Sequence, residues 1–449
     1  MNISIIGCGY VGIVTGICLA DKGHKIYFFD QNKKKLNKFK KGGQIIFEKG
    51  LNQKIFSAKR KGNIFFCDNL VEAINNTEAS FICVGTPLVK GNINLKYIKN
   101  ITEDFSKILL KKKEHCIIYK STIPPRTVED FCAPILKKKL GNNLNKKFKI
   151  VSNPEFLREG NAVYDFENPG KIVIGIRDSL SKKIMNQIYA KYDKKSKIVF
   201  VDIKTAEFIK YFSNSFFSLL ISYSNELTNL AHKIDVDFMN VLNAFKLDPR
   251  FKSTKKRIPE MMNYLIPGIG YGGSCFPKDV KTLIYFAKKK GANLEILKKV
   301  NEINLKQPKK ISNQIKKEFL NKKIKKCLIL GITFKDGTND IRNSTSIKLI
   351  NFMSKSNCKI YMYDPFFTKE NYLKNKNIFN SKVKFLENVK KNLKIDAIIL
   401  NNKSKKILKI VNYYNKKHKT LIFDSRRVLD QSKFKNYLGV SLSNLNKLK

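Results

Sequence analysis

The chain has 449 residues, 43% of them hydrophobic, and 88 Lys and Arg against 36 Asp and Glu give a formal net charge of +52. At roughly 100 to 200 residues per domain, that length excludes one small core and calls for two or three domains. No apolar run approaches the roughly 18 residues that cross a bilayer, and the nine scattered cysteines, odd in number and without a C-x-x-C pair, support neither a disulfide framework nor a zinc site. Met1 leads straight into the strand-like NISIIG, so a cytoplasmic protein is expected. The lysines spread from NKKKLNKFKK to the terminal LNKLK among many Asn, Ile and Phe, the pattern of an AT-rich coding bias rather than of a nucleic-acid groove. Phosphorylated small substrates suit the same charge; nucleic acid and membrane are not expected partners.

In chain order, NISIIG reads as a short strand, YVGIVTGICLADKG has helical spacing ending in Gly23, and KIYFFD is a second strand, together a βαβ unit. Between the first strand and the helix, Gly7, Gly9 and Gly12 have G-x-G-x-x-G spacing: a tight turn, a close approach of backbone to a pyrophosphate, and close packing of helix on strand. That spacing alone is weak evidence. Asp30 strengthens it, because an acid 18 residues after Gly12 at the end of the next strand can accept ribose hydroxyls and favours NAD over NADP. Further apolar runs, ASFICVG, HCIIYKST, FKIVSNPEF and KIVIGI, alternate with stretches of helical length and predict a parallel doubly wound sheet over residues 1–203. Residues 204–305 carry long helical periodicity without strand-like runs, and KIKKCLILGITF, NCKIYMYDP, IDAIILNN and KTLIFDSR restore an α/β pattern over 306–449.

Within the helical region stands GYGGSCFPKD, where glycines 270, 272 and 273 can turn the chain sharply and present Cys275. Asp279 follows four residues later, so a helix starting at the serine puts both on one face beside Lys278. A thiol near a cation and a helix N-terminus ionises readily and attacks carbonyl carbon. Lys210 and Asn214 in KYFSN are also four apart on a predicted helix, and both can donate to a developing oxyanion.

Eight motifs in order, GCGYVG, FICVGTP, YKSTIPP, SNPEFLREGNAVYDF, TAEFIKYFSN, GYGGSCFPKD, GITFKDGTNDIRNS and YDP, resemble the UDP-glucose/GDP-mannose dehydrogenases over the full length. The resemblance implies two Rossmann-like domains joined by a central helical dimerisation domain, with NAD accepting two hydrides as the C6 alcohol of a nucleotide sugar becomes a carboxylate. It implies that Cys275 carries a thiohemiacetal and then a thioester, that Glu155 is the base opening the thioester, and that Thr122 and Asp279 hold water or shuttle its proton. Lys210 and Asn214 are then the oxyanion donors. Cofactor contacts carried over are Gly7, Gly9, Tyr10, Val11, Gly12, Asp30, Lys35, Thr86, Thr122, Glu159, Lys278 and Arg342. Sugar-nucleotide contacts are Glu155, Phe156, Leu157, Lys210, Asn214, Tyr271, Gly272, Gly273, Phe334 and Lys335, with Arg250 resembling an arginine that reaches the neighbouring subunit's substrate in a homodimer or larger assembly.

The GGSCFPKD form favours UDP-glucose, giving UDP-glucuronate, over N-acetylated sugars; GDP-mannose is the nearest alternative, since the same catalytic groups serve it. A non-catalytic polyanion binder is the remote one. The chain departs from the family pattern at Arg126, at Gly170 and Lys171, at Leu220 and at Asn339, and an apparent insertion, FKSTKKRIPEMMNYLI, follows Arg250. None of these removes a proposed catalytic group.

Overall fold

Strands covered by helices on both faces have no solvent side to keep polar, which is why the runs of four or five apolar residues above build buried sheets. The computed structural model describes residues 1–43, 45–89, 91–192, 197–251, 259–390, 392–417 and 419–442. The chain divides into two compact units, Met1–Ser213 and Asn214–Lys449.

In the first unit the strands are β1 (Asn2–Ile6), β2 (Lys25–Phe29), β3 (Ile64–Phe66), β4 (Ala79–Ile82), the hairpin β5 (Leu88–Val89) and β6 (Asn92–Ile93), β7 (His115–Tyr119), β8 (Phe148–Ser152), β9 (Lys171–Gly175) and β10 (Lys197–Val201). The large sheet runs β10-β9-β8-β7-β4-β1-β2-β3. Alternate residues feed the two faces: Ile3, Ile5 and Phe28 pack with Ile13, Val14 and Ile17 of the helix Tyr10–Asp21, while Ile6, Ile82 and Ile117 pack on the opposite face with Ile98, Ile101 and Phe105. Strand order reverses between β1 and β4, so their C-terminal ends frame the crevice where open α/β sheets take ligands.

One expectation is corrected. KIVIGI was expected to extend the parallel sheet, but β9 meets β8 antiparallel through the single pair Ser152↔Gly175, and β10 runs parallel to β9. The connection explains this: its only helix, Ala162–Glu167, has six residues and rises about 9 Å, too little to carry the chain back along a strand of roughly 17 Å.

The long helix Ile203–Lys233 spans the boundary between the units. In the second unit it is followed by the helices Phe238–Phe245, Phe276–Lys289 and Glu295–Asn321; no described residue between 204 and 305 is in a strand, as the helical periodicity predicts. Then come β11 (Lys326–Leu330), β12 (Lys359–Tyr363), β13 (Val383–Phe385), β14 (Ala397–Leu400), β15 (Leu421–Asp424) and β16 (Tyr437–Gly439), in the order β13-β12-β11-β14-β15-β16 and parallel throughout. Among the described residues no helix is long and apolar enough to cross a membrane. Residues 252–258 of the insertion after Arg250 lie outside the described residues.

Candidate active site

The turn after β1 is shaped for a dinucleotide. Gly7 has φ +101°, and a Cβ there would lie 2.9 Å from the Cys83 carbonyl oxygen at the end of β4. A Cβ on Gly12 would sit 2.0 Å from the Gly7 oxygen, so helix and turn could not close. Gly9 is the opposite case: nothing lies within 4 Å of its virtual Cβ, and no side chain caps the helix that starts at Tyr10. Uncapped N–H groups and an unfilled approach over Gly9 fit a pyrophosphate. Asp30, after β2, accepts the Cys8 N–H at 2.7 Å and the Asn32 N–H at 2.9 Å, with the Lys35 ammonium 3.5 Å away. Thr86, after β4, donates its hydroxyl to the Thr122 carbonyl at 2.9 Å, which ties two predicted cofactor residues together.

The segment after β8 carries the predicted base. Glu155 is buried, with Lys210 of the long helix 3.0 Å from one carboxylate oxygen and the Leu157 N–H 2.6 Å from the other. Burial alone would raise its pKa, but Lys210, the Leu157 N–H and the further ammonium of Lys120 outweigh that and hold the carboxyl below its ordinary value. Glu155 is therefore ionised at neutral pH. The Phe156 ring has Lys171 at 4.6 Å and Lys210 at 5.4 Å from its centroid, a cation–π arrangement that aims both ammonium groups at one patch. Leu157 packs against the core, and Glu159 precedes Gly160, whose N–H donates to the Tyr10 hydroxyl at 3.0 Å.

In the second unit the helix Phe276–Lys289 begins two residues later than predicted, making Cys275 its N-cap, with no side chain capping it and a proline in its first turn. Cys275 is exposed and the eight other cysteines are buried; burial pushes the thiols of Cys83 and Cys116 up to about 12. One turn on, the buried Asp279 accepts the Asn214 amide at 2.5 Å and the Lys278 ammonium at 2.5 Å. The glycine loop is fixed rather than loose. Asn304 donates to the Tyr271 carbonyl at 3.0 Å and accepts its N–H at 2.8 Å; the Gly273 N–H donates to the Arg342 carbonyl at 2.9 Å, and a Cβ on Gly273 would lie 2.8 Å from the Phe334 ring. Half-buried Arg426 donates to the Gly270 carbonyl at 3.1 Å. Gly272 lies against the Asn343 carbonyl, 2.5 Å from its virtual Cβ.

Three predicted residues are engaged with near neighbours in the chain. Arg250 is 84% exposed and pairs with Asp248 at 2.6 Å; the Arg342 side chain pairs with Asp340 at 2.6 Å; Lys335 lends its carbonyl to the Thr333 hydroxyl at 3.0 Å. Sequence reasoning missed Lys120, Glu48, Asn304 and Arg426. Lys120 stands inside the quoted YKST run, directly after a strand, a position that could have marked it.

Three family models match in succession: the NAD binding domain of the UDP-glucose/GDP-mannose dehydrogenase family over residues 1–193, its central domain over 204–306 and its UDP binding domain over 328–431. The chain belongs to this family. A UDP-glucose 6-dehydrogenase of Rickettsia bellii is 36% identical over 375 residues, 81% of this chain and 81% of that protein; a GDP-mannose 6-dehydrogenase of Azotobacter vinelandii is 32% identical over 366 residues, 81% of each. Among solved structures, a UDP-glucose dehydrogenase from Pyrobaculum islandicum superposes with TM-score 0.84 at 29% identity, covering 98% of both chains. As a family member the chain is a nucleotide-sugar dehydrogenase that uses NAD, and the turn at Gly7, Gly9 and Gly12 fits that cofactor.

Proposed function

We propose that the protein oxidises UDP-glucose to UDP-glucuronate through a thioester on Cys275. The observation that carries this reading is the single exposed thiol, placed at the uncapped start of a fourteen-residue helix one turn from the buried pair Asn214 and Asp279 and the half-buried Lys278. Two NAD molecules, bound one after the other at the Gly7 to Gly12 turn, would each accept one hydride. Lys210 and Asn214 donate to the C6 oxygen as negative charge develops on it. At the aldehyde level the Cys275 sulfur attacks C6 and a C–S bond forms, giving a thiohemiacetal that is oxidised in turn to the thioester. Glu155, ionised beside Lys210, takes a proton from water as the water oxygen adds to the thioester carbonyl. The C–S bond then breaks, sulfur leaves as thiolate and the sugar leaves as carboxylate. Asp279 and Thr122 hold the water, and Tyr271, Gly272, Gly273, Phe334 and Lys335 receive the sugar nucleotide.

A homodimer belongs to this reading. Tyr223, Leu227, Leu230 and Ile234 lie exposed at three- and four-residue spacing along and just beyond the long helix, an apolar stripe suited to a second copy.

Progress curves run to completion with limiting UDP-glucose test the reaction: two NADH per sugar are expected, and a Cys275→Ser variant should yield no uronate. Faster turnover of GDP-mannose would replace the substrate assignment and leave the chemistry; one NADH per sugar would overturn the thioester route.

A further inference from the structure

Glu48 lies in the loop before the helix Leu51–Arg60, is 7% exposed, and has no place in the chemistry above. Its carboxylate gathers three donors from two distant parts of the chain. One oxygen accepts the Tyr10 hydroxyl and the Gly160 N–H at 2.8 Å; the other accepts the Ala162 N–H at 2.9 Å. Tyr10 in turn accepts from Gly160 at 3.0 Å, closing a triangle of Tyr10, Glu48 and Gly160. Burial, and then the bond to Glu48, push the Tyr10 phenol well above its ordinary value, so it stays a donor.

What the triangle joins gives it meaning. Tyr10 is the first residue of the helix whose uncapped N-terminus faces the pyrophosphate site. Gly160 closes the segment that begins at Asn153 and carries Glu155, Phe156, Leu157 and Glu159. The near end of that segment is already fixed, since Asn153 donates to the Val173 carbonyl at 2.8 Å and accepts the Tyr189 hydroxyl at 2.6 Å. The far end depends on Glu48, together with Arg158, whose N–H bonds Asp165 at 2.8 Å.

We propose that Glu48 is a positioning residue that latches the base-bearing segment 154–160 to the NAD turn through Tyr10, so that the two sites order each other. The proposal rests on reading Glu155 as the base and the Gly7 to Gly12 turn as the NAD turn. Because coupling between two sites is reciprocal, a sugar nucleotide that orders the segment tightens NAD, and NAD tightens the sugar nucleotide.

The test compares Glu48→Gln, Tyr10→Phe and the double variant by calorimetric titration with NAD and by amide hydrogen exchange across 154–162, in the full chain. Each single change is expected to weaken NAD about ten- to hundredfold, the range for losing a buried bond to a charged group, and to speed exchange across the segment. The double variant should be no weaker than the worse single one, since both cut the same link. Unchanged NAD affinity, or weakened affinity with exchange across 154–162 as in the unaltered protein, overturns the latch. Tyr10→Phe removes one oxygen and carries the test if Glu48→Gln fails to fold. Neither readout needs turnover, so a protein that reduces no NAD with any sugar nucleotide would sink the proposed reaction while the latch is still decided.

Discussion

Lys120 shows how a single residue can hold a charge where the fold resists it. It follows β7 directly, is 4% exposed, and donates to Asn153, at 3.2 Å to the carbonyl and 3.1 Å to the side-chain oxygen. Burial lowers its pKa from 10.5 to about 8, against the smaller opposing pull of Cys83 and Glu155. Below about pH 8 both folded and unfolded chains keep the proton, and the fold bears the full penalty, on the order of 3 kcal/mol. Between there and the ordinary lysine value the folded chain sheds the proton first, so this residue's contribution rises with pH. Lys120→Met should therefore gain stability relative to the unaltered protein at about pH 7 and lose that advantage by about pH 10. Melting curves of both at the two pH values check this; a difference independent of pH would mean that Lys120 does not titrate in that range. Only its place directly after a strand could have marked this lysine in the sequence, because a chain with 88 basic residues hides one that matters. Cys275 was legible for the converse reason, since glycines on one side and Pro-Lys-Asp on the other leave a cysteine little else to do.

The strand, turn and helix from Asn2 to Asp21 set two glycines against each other as controls. Gly12→Ala would force a Cβ to within 2.0 Å of a backbone oxygen, with Ile5 and Cys83 also in the way; neither backbone nor core can yield, so a loss above about 4 kcal/mol is expected. Gly9 has φ −74° and open space, so Gly9→Ala should fold within about 1 kcal/mol of the unaltered protein yet bind NAD poorly, its methyl standing where the pyrophosphate approaches. Thermal melts beside NAD titrations separate the two, and equal damage to stability in both would contradict this account of the turn. Here the sequence was fully readable, because the geometry is local. It was silent on the reversal of β9 and β10, since an apolar run states burial and not direction, and on the hairpin β5–β6, whose two-residue strands leave no period to detect.

Each unit of the molecule carries the same sheet plan. With its hairpin and last two strands set aside, the first sheet runs β3-β2-β1-β4-β7-β8, and the second runs β13-β12-β11-β14-β15-β16. Gly331 after β11 repeats Gly7 with φ +102°, and Asp364 after β12 repeats Asp30. Their backbone partners correspond: as Asp30 accepts from Cys8 and Asn32, the buried Asp364 accepts from the Ile332 and Phe366 N–H groups, and it takes the Thr333 N–H and hydroxyl as well. The duplicated plan was visible only coarsely in the sequence, because the second turn lacks the glycine spacing of the first. Assembly is a property of this scale too. Leu230→Glu, placing a charge in the exposed stripe of the long helix, should turn a dimer into monomers in sedimentation at constant protein concentration; an unaltered protein that sediments as a monomer would remove the stripe as an interface.

Eight thiols sealed in three cores and one standing in solvent also divide the molecule by reactivity. Thiolates react only where reagent can reach them, so an alkylating agent given to the native protein meets one target per chain. On the proposed thioester route Cys275 is thereby both the working nucleophile and the point of exposure to oxidants and electrophiles, and the label it takes up would count intact sites without any substrate being present.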